Sequence, residues 1–421
     1  MSKNNILSII GSGLVLTTVL SQASLATEGY FQTAFGARHS SMAGAGLAHI
    51  TDSTGLGLNP AGIVGIDSHA NLGIKLFVPK RKTTGSGQPG FTPLGEVKSG
   101  NNIFAIPNFS YIRPLNDKSA IGIGLFANGG MNTSYPDVER DVMECGGGSG
   151  VFCSGKAGVN LHQVFITVGY AYQLTDNLKV GISPILAIQN FKAKGVAALS
   201  ANSSDPENFS DRGSDRSVGL GYKLGTTYTI EDFSLAATYQ GRIDTGHFDK
   251  YTGLFAEGGG FDVPSSYAVG LAYALTDNIH VAADYRHVNY NSIESVGNAS
   301  TIQSSFGLDG GPGFGWSDVD SYKFGLEIVH SDTLTYRLGV GFNTNPVSGR
   351  DVTLNVLAPG VVTRHYSAGF TYNLGGGSSI LTSATYVPYN SVTGAGFANP
   401  NHTVEIGMKQ SHLIIEWQKR F

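Results

Sequence analysis

Leu334-Thr335-Tyr336-Arg337-Leu338-Gly339-Val340-Gly341-Phe342 sets an apolar side chain at every second position and a polar residue or glycine between. Successive side chains of a strand point to opposite faces, so this period of two reads as a strand with one face in an apolar medium. The same pattern recurs upstream. Ile279, Val281, Ala283 and Tyr285 oppose His280, Ala282, Asp284 and Arg286, and Tyr322, Phe324, Leu326 and Ile328 oppose Lys323, Gly325 and Glu327. A soluble sandwich would alternate in the same way, so the pattern gives an all-β class without choosing an architecture.

The connections choose it. Short turns rich in Asp, Asn and Gly follow aromatic-bearing strands: Leu115-Asn116-Asp117, Leu174-Thr175-Asp176-Asn177, Glu231-Asp232, Leu275-Thr276-Asp277-Asn278, Ser331-Asp332 and Gly375-Gly376-Gly377. Each fits a tight hairpin. Between them lie long Gly/Ser/Asn/Asp-rich stretches, around 81–100, 131–158, 194–215, 246–260, 295–317, 346–360 and 392–401. Short turns on one side and long loops on the other predict a transmembrane antiparallel β-barrel, with the long loops extracellular. Seven hairpins make about 14 strands. The last strand carries Leu413, Ile415, Trp417 and the terminal Phe421 on one face, interrupted by Lys419, whose long stem can reach water at the membrane edge.

Composition agrees. The chain has 421 residues, 58 of them Gly, 19 Tyr and 22 Phe, only 14% charged and with a net charge of −4. No segment beyond the N-terminus approaches the length of a spanning helix, which leaves a closed barrel as the way through a bilayer. The charge balance offers nothing to nucleic acid. At the N-terminus, Lys3, the apolar stretch from Ile6 to Leu20 and Ser24-Leu25-Ala26 form a secretory signal peptide, expected to end at residue 26. Export through an oxidising compartment predicts a disulfide between Cys145 and Cys153, whose intervening segment holds no histidine for a metal site.

Residues 27–67 have a different texture, small and glycine-rich with poor alternation, and the barrel proper is expected over 68–421. A lumen of fourteen strands is too wide for strand side chains to fill, so this segment is the candidate plug. It holds the most specific motif of the chain: Gly36-Ala37-Arg38-His39-Ser40-Ser41-Met42-Ala43-Gly44-Ala45-Gly46-Leu47-Ala48, then Asp52, then Asn59-Pro60-Ala61-Gly62. This resembles the hatch of the FadL family, outer-membrane transporters for long-chain fatty acids and other hydrophobic compounds, including aromatic-hydrocarbon channels. The resemblance implies a bacterial outer-membrane location, a hatch motif at Asn59, Pro60 and Ala61, and passive uptake without a cofactor. Substrate would be captured among the extracellular loops, pass to a lumenal pocket and leave sideways through the wall. It also implies a kink in the third barrel strand, for which Asn128, Gly129 and Gly130 are the candidates. The same glycines could instead open the following loop.

By alternation Asp284, Arg286, Lys323, Glu327 and Arg337 face the lumen, since charges on the lipid face near mid-membrane would cost about 2–4 kcal/mol. They make either an ion-pair lattice holding wall and hatch or, through Arg337 or Lys323, a carboxylate site. Phe248, Tyr251, Leu254 and Phe255, with Phe261, crowd a loop expected to face water, which marks them for first capture of substrate. No nucleophile elbow, metal cluster or nucleotide loop appears, so an enzyme is not expected. Partners would be hydrophobic small molecules and outer-membrane lipids, the barrel working as a monomer. A general porin for small hydrophilic solutes is the alternative, and it would need an open aqueous lumen.

Overall fold

The structure, a computed structural model, describes residues 28–397 and 399–421; the expected signal peptide lies outside them. Fifteen strands follow one another: β1 (His69–Gly87), β2 (Gly95–Lys98), β3 (Phe104–Asn116), β4 (Ser119–Asn132), β5 (Gly158–Gln173), β6 (Leu178–Lys194), β7 (Asp215–Ile230), β8 (Phe233–Gln240), β9 (Ser266–Thr276), β10 (Ile279–Val288), β11 (Val319–Val329), β12 (Leu334–Asn343), β13 (Arg364–Gly375), β14 (Ser378–Gly396) and β15 (Asn399–Arg420). Fourteen of them pair in sequence order and antiparallel, and β15 returns to β1, running from His69↔Arg420 to Gly87↔His402. The result is a closed barrel of 14 strands, with β2 only a short ribbon on the edge of β1. Closure leaves no strand edge in the membrane, as a bilayer without water requires.

The alternation of the sequence becomes the two faces of the wall. On β12, Tyr336, Leu338 and Phe342 are exposed, while Arg337, Gly339 and Gly341 are buried. On β9 the outward side chains read Tyr267, Val269, Leu271 and Tyr273, an aliphatic band with an aromatic residue at each end. Such girdles sit at the two membrane interfaces, where an amphipathic ring has both oil and water within reach.

Two loop expectations are corrected. Residues 392–401 do not form a long loop: β14 runs to Gly396 and β15 resumes at Asn399, so this hairpin stays paired far past the membrane band. Its glycines, which read as loop composition, mark close packing instead, since a Cβ on Gly394 would lie 1.7 Å from the carbonyl oxygen of Gly349. Likewise β1 extends to Gly87, well into the stretch expected to begin a loop at 81.

Residues 28–64 lie against the inward side chains of the barrel and are almost wholly buried. They form helix α1 (Gly36–Ser41) and two tight helical turns, Ser53–Gly57 and Pro60–Ile63. Small residues permit this seat. Wall glycines stand opposite it, and a Cβ on Gly181, Gly225 or Gly339 would come within 2.5, 2.2 and 2.1 Å of Ala61 N, Asn59 Oδ1 and the Met42 carbonyl carbon.

Candidate functional site

Asn59 caps the Pro60–Ile63 turn, its Oδ1 accepting from the Ala61 amide at 3.0 Å, with Pro60 at the first position, where its missing N–H costs nothing. Its Nδ2 donates to the Leu47 carbonyl at 3.2 Å and to Thr227 Oγ1 on β7 at 2.9 Å. One fully buried amide therefore fixes the turn, a distant point of its own segment and the wall. Asp52 repeats the device, its Oδ1 accepting from Thr54 N at 2.9 Å and Thr54 Oγ1 at 2.6 Å.

The five inward charges of β10–β12 all meet this segment or its partners. Glu327 takes Arg38 at 3.0 Å and His49 at 3.0 Å, and also pairs with Arg337 on the neighbouring strand. Lys323 reaches Glu28 at 2.7 Å and the Thr33 carbonyl at 2.8 Å, and Arg286 reaches Glu28 at 3.3 Å. Asp284 accepts from the Leu47 amide at 2.9 Å. In this arrangement Arg337 and Lys323 already hold carboxylates of the chain itself. Sequence reasoning placed the wall charges but missed their partners, Glu28, Arg38 and His49, which lie some 240 to 300 residues away in the chain and carry no local signal.

Asn128, Gly129 and Gly130 lie inside β4, which stays paired with β5 as far as Asn132, so they do not open the following loop. The register slips by one residue between Ala127 and Gly129, a bulge with Asn128 as the extra residue. On the other side the pairing of β3 with β4 ends at Phe109↔Leu125, although both strands continue. Pro107 of β3, which has no N–H to give, sits beside this opening. The edge of β4 is instead met from within: Phe31 bridges to Gly129, the Gln32 amide donates to the Asn128 carbonyl at 2.8 Å, and the Gly130 amide donates to the Tyr30 carbonyl at 2.9 Å. A Cβ on Gly129 would lie 2.4 Å from that carbonyl oxygen, so only glycine allows the approach.

Above this point the loops build an apolar core. Phe248, Tyr251, Leu254, Phe255 and Phe261 are buried, which corrects the expectation of a cluster exposed to water. They pack on Phe191 of β6, and through Phe261 on Tyr30, which also meets Tyr290 and Trp316. Seven connections converge over one mouth, so each loop hides its neighbour's apolar side chains. Asp205 helps hold two loops together, with Thr252 Oγ1 at 2.6 Å and Asn208 Nδ2 at 2.9 Å keeping its carboxyl below the usual range. Cys145 and Cys153 are joined in a third. The buried cluster is continuous from these loops through Tyr30 and Phe31 to Phe77, Phe104, Ile106 and Met131, beside the opening between β3 and β4. A void of about 20 Å³ remains among Phe77, Met131, Trp316 and Met408.

Residues 17–407 match the family model described as outer membrane protein transport protein (OMPP1/FadL/TodX). This chain belongs to that family, and its place is the bacterial outer membrane. Among curated relatives it resembles Outer membrane protein P1 of Haemophilus influenzae, 22% identical over 277 residues, or 56% of each chain. The chain thus spans about half the length of the curated relatives it matches. Among solved structures it is similar in fold to the Pseudomonas putida toluene transporter TodX, with TM-score 0.68 and 19% identity over 93% of this chain and 99% of that one. A Pseudomonas aeruginosa FadL homologue gives TM-score 0.68 and 14% identity over 93% and 100%. The Ralstonia pickettii toluene transporter TbuX gives 0.66 and 18% over 93% and 99%.

Proposed function

We propose that this family member is a channel for passive uptake of hydrophobic compounds, long-chain fatty acids or monoaromatic hydrocarbons, with residues 27–67 as its hatch. The observation that carries the reading is the edge of β4 left unpaired by β3 and covered from inside by Tyr30–Gln32, at the end of one continuous apolar cluster. A molecule moving within that cluster stays out of water, and each buried methylene is worth about 0.8 kcal/mol. At the opening it reaches lipid past the Gln32 and Lys75 side chains, which are bonded to each other. The void there is too small for such a molecule, so passage requires Tyr30 and Phe31 to leave the β4 edge. That shift breaks a few backbone hydrogen bonds and leaves the barrel ladder intact. Two relatives in fold are named as toluene transporters and another as a FadL homologue, which supports both substrate classes.

Deleting Asn128 tests this reading. Without the bulge residue β4 regains plain alternation and can continue its pairing with β3, closing the wall. Uptake of radiolabelled oleate and toluene by cells expressing the wild type should exceed the empty-vector level for at least one compound and fall to that level with the deletion. Undiminished uptake through the straightened barrel would sink the sideways exit. Large steady conductance in a planar bilayer, with no uptake of either compound, would favour a hydrophilic porin.

A further inference from the structure

On the outer wall, at the end of β1 away from the short turns, the outward side chains change from Leu72, Ile74, Leu76 and Val78 to Lys80 and Lys82. The neighbouring strand changes at the same height, from Trp417, Ile415 and Leu413 through Ser411 to Lys409. Lys80 and Lys409 are paired at zero offset across β1 and β15, and Lys82 and Lys98 at zero offset across β1 and β2. Residues directly opposite have Cβ atoms about 4.5–5.5 Å apart, and like charges there destabilise the sheet. The second pair is relieved from within, since Glu96 bridges Lys82 at 2.7 Å and Lys98 at 3.1 Å.

The first pair is not. Among the described residues no carboxylate is within ion-pair distance of Lys80 or Lys409. The nearby Glu405 accepts from the Tyr389 hydroxyl at 2.7 Å, and Arg81 is turned inward onto the carbonyls of Asn132, Gly100 and Asn101. Lys80, Lys82, Lys98, Lys409 and Tyr389 line a cleft of about 610 Å³ together with Glu96, whose carboxylate Lys82 and Lys98 hold. Beneath it, past Val78 opposite Ser411, Leu76 faces Leu413 and Ile74 faces Ile415, these four exposed on the wall.

The geometry points to a binding site for a phosphorylated lipid of the outer leaflet, its phosphate held between Lys80 and Lys409 and an acyl chain lying on the column of Leu76, Leu413, Ile74 and Ile415. Snorkelling alone would put single lysines at this height. It does not account for two of them face to face while the acid of the cleft, Glu96, is held by Lys82 and Lys98, an arrangement that a dianion turns from repulsive to attractive. Commitment to a lipid over a free anion rests on the apolar column, which continues the cleft on the same two strands and is useless to an inorganic ion. The inference concerns the outer wall and does not depend on what passes through the barrel.

The test is native mass spectrometry of the full chain in detergent, titrated with bisphosphorylated lipid A, with the same lipid stripped of both phosphates, and with inorganic phosphate as competitor. Each lysine near a charged surface is worth about 1 kcal/mol, so Lys80→Gln/Lys409→Gln should bind the bisphosphorylated lipid roughly thirtyfold more weakly. Lys118→Gln, in a turn at the opposite end, should bind as the wild type does. Removing both phosphates should cost the wild type a comparable factor and the double variant little. Both substituted side chains are exposed, and heat-modifiable migration on a gel verifies that the barrel has folded. Equal binding by the double variant and wild type, or by the two lipids, would overturn the site. Full displacement by millimolar inorganic phosphate would overturn its assignment to a lipid.

Discussion

Asn59 shows how much a single side chain can be asked to hold. Its amide satisfies a turn amide, a carbonyl of the same segment and a hydroxyl of the wall, all buried. Asn59→Ala removes a cap worth about 1 kcal/mol and leaves the Leu47 carbonyl and Thr227 hydroxyl short of a partner at about 1–3 kcal/mol each. Residues 28–64 should then become cleavable by added protease at least about tenfold faster, with the barrel's own melting unchanged. Glu327→Gln acts at the other end of the seat. It leaves Arg38 and Arg337 buried with their shared carboxylate gone, at a cost of about 3–5 kcal/mol, and the same protease assay should show a loss of protection comparable to that of Asn59→Ala. Wild-type protection in both variants would mean that the seat rests on shape alone. Much of this was legible, because an Asn ahead of Pro signals a turn and lipid forbids charge on one face of a strand. The inward glycines were not. Nothing in the sequence around Gly181 and Gly225 points to their role, because the turn that presses on them is distant in the chain.

At the level of elements, the strands follow directly from a period of two, and their boundaries fail where composition imitates a loop. Residues 392–396 are rich in small and polar side chains and yet are strand, because β15 pairs with them as far as Gly396. The loop cluster was misread for a related reason. A sequence shows Phe248, Tyr251, Leu254 and Phe255 in one loop, but cover comes from Phe191 and, through Phe261, from Tyr30, which are distant in the chain. Packing of this kind makes the loop core a folding unit. Phe255→Ala should cost about 3–5 kcal/mol within it, measured as faster hydrogen exchange in 241–265 and in the loops packed on it, with β7–β10 still protected at the membrane. Replacing Cys145 and Cys153 by Ser frees a short loop, worth about 2–3 kcal/mol in chain entropy, and should speed exchange near 133–157 only. Exchange rising equally through the barrel strands would show that loops and wall are a single cooperative unit.

For the whole molecule, closure of the sheet and filling of the lumen answer two separate demands. Closure satisfies backbone groups in lipid, and β15 returning to β1 accomplishes it without the N-terminal segment. Filling concerns leakage, because fourteen strands surround more space than their inward side chains occupy, and here many of those side chains are glycine, serine and threonine. If residues 28–64 supply the missing volume, a chain lacking them should still fold and insert, since every pairing between the strands of the wall remains. Its steady conductance in a planar bilayer should rise at least about tenfold over the wild type, because the polar inward face of the wall loses its cover and the loop core above it loses Tyr30 and Phe31. Uptake of oleate or toluene should not rise with it, although the truncation also uncovers the β4 edge: an apolar solute gains from an unbroken apolar surface, and the truncated chain has lost Tyr30 and Phe31 from the middle of that surface. A rise in conductance without a rise in hydrophobic uptake would separate the aqueous route from the apolar one within a single barrel. A matching rise in both would mean that the apolar surface of Tyr30 and Phe31 is dispensable and that they act only as an obstruction.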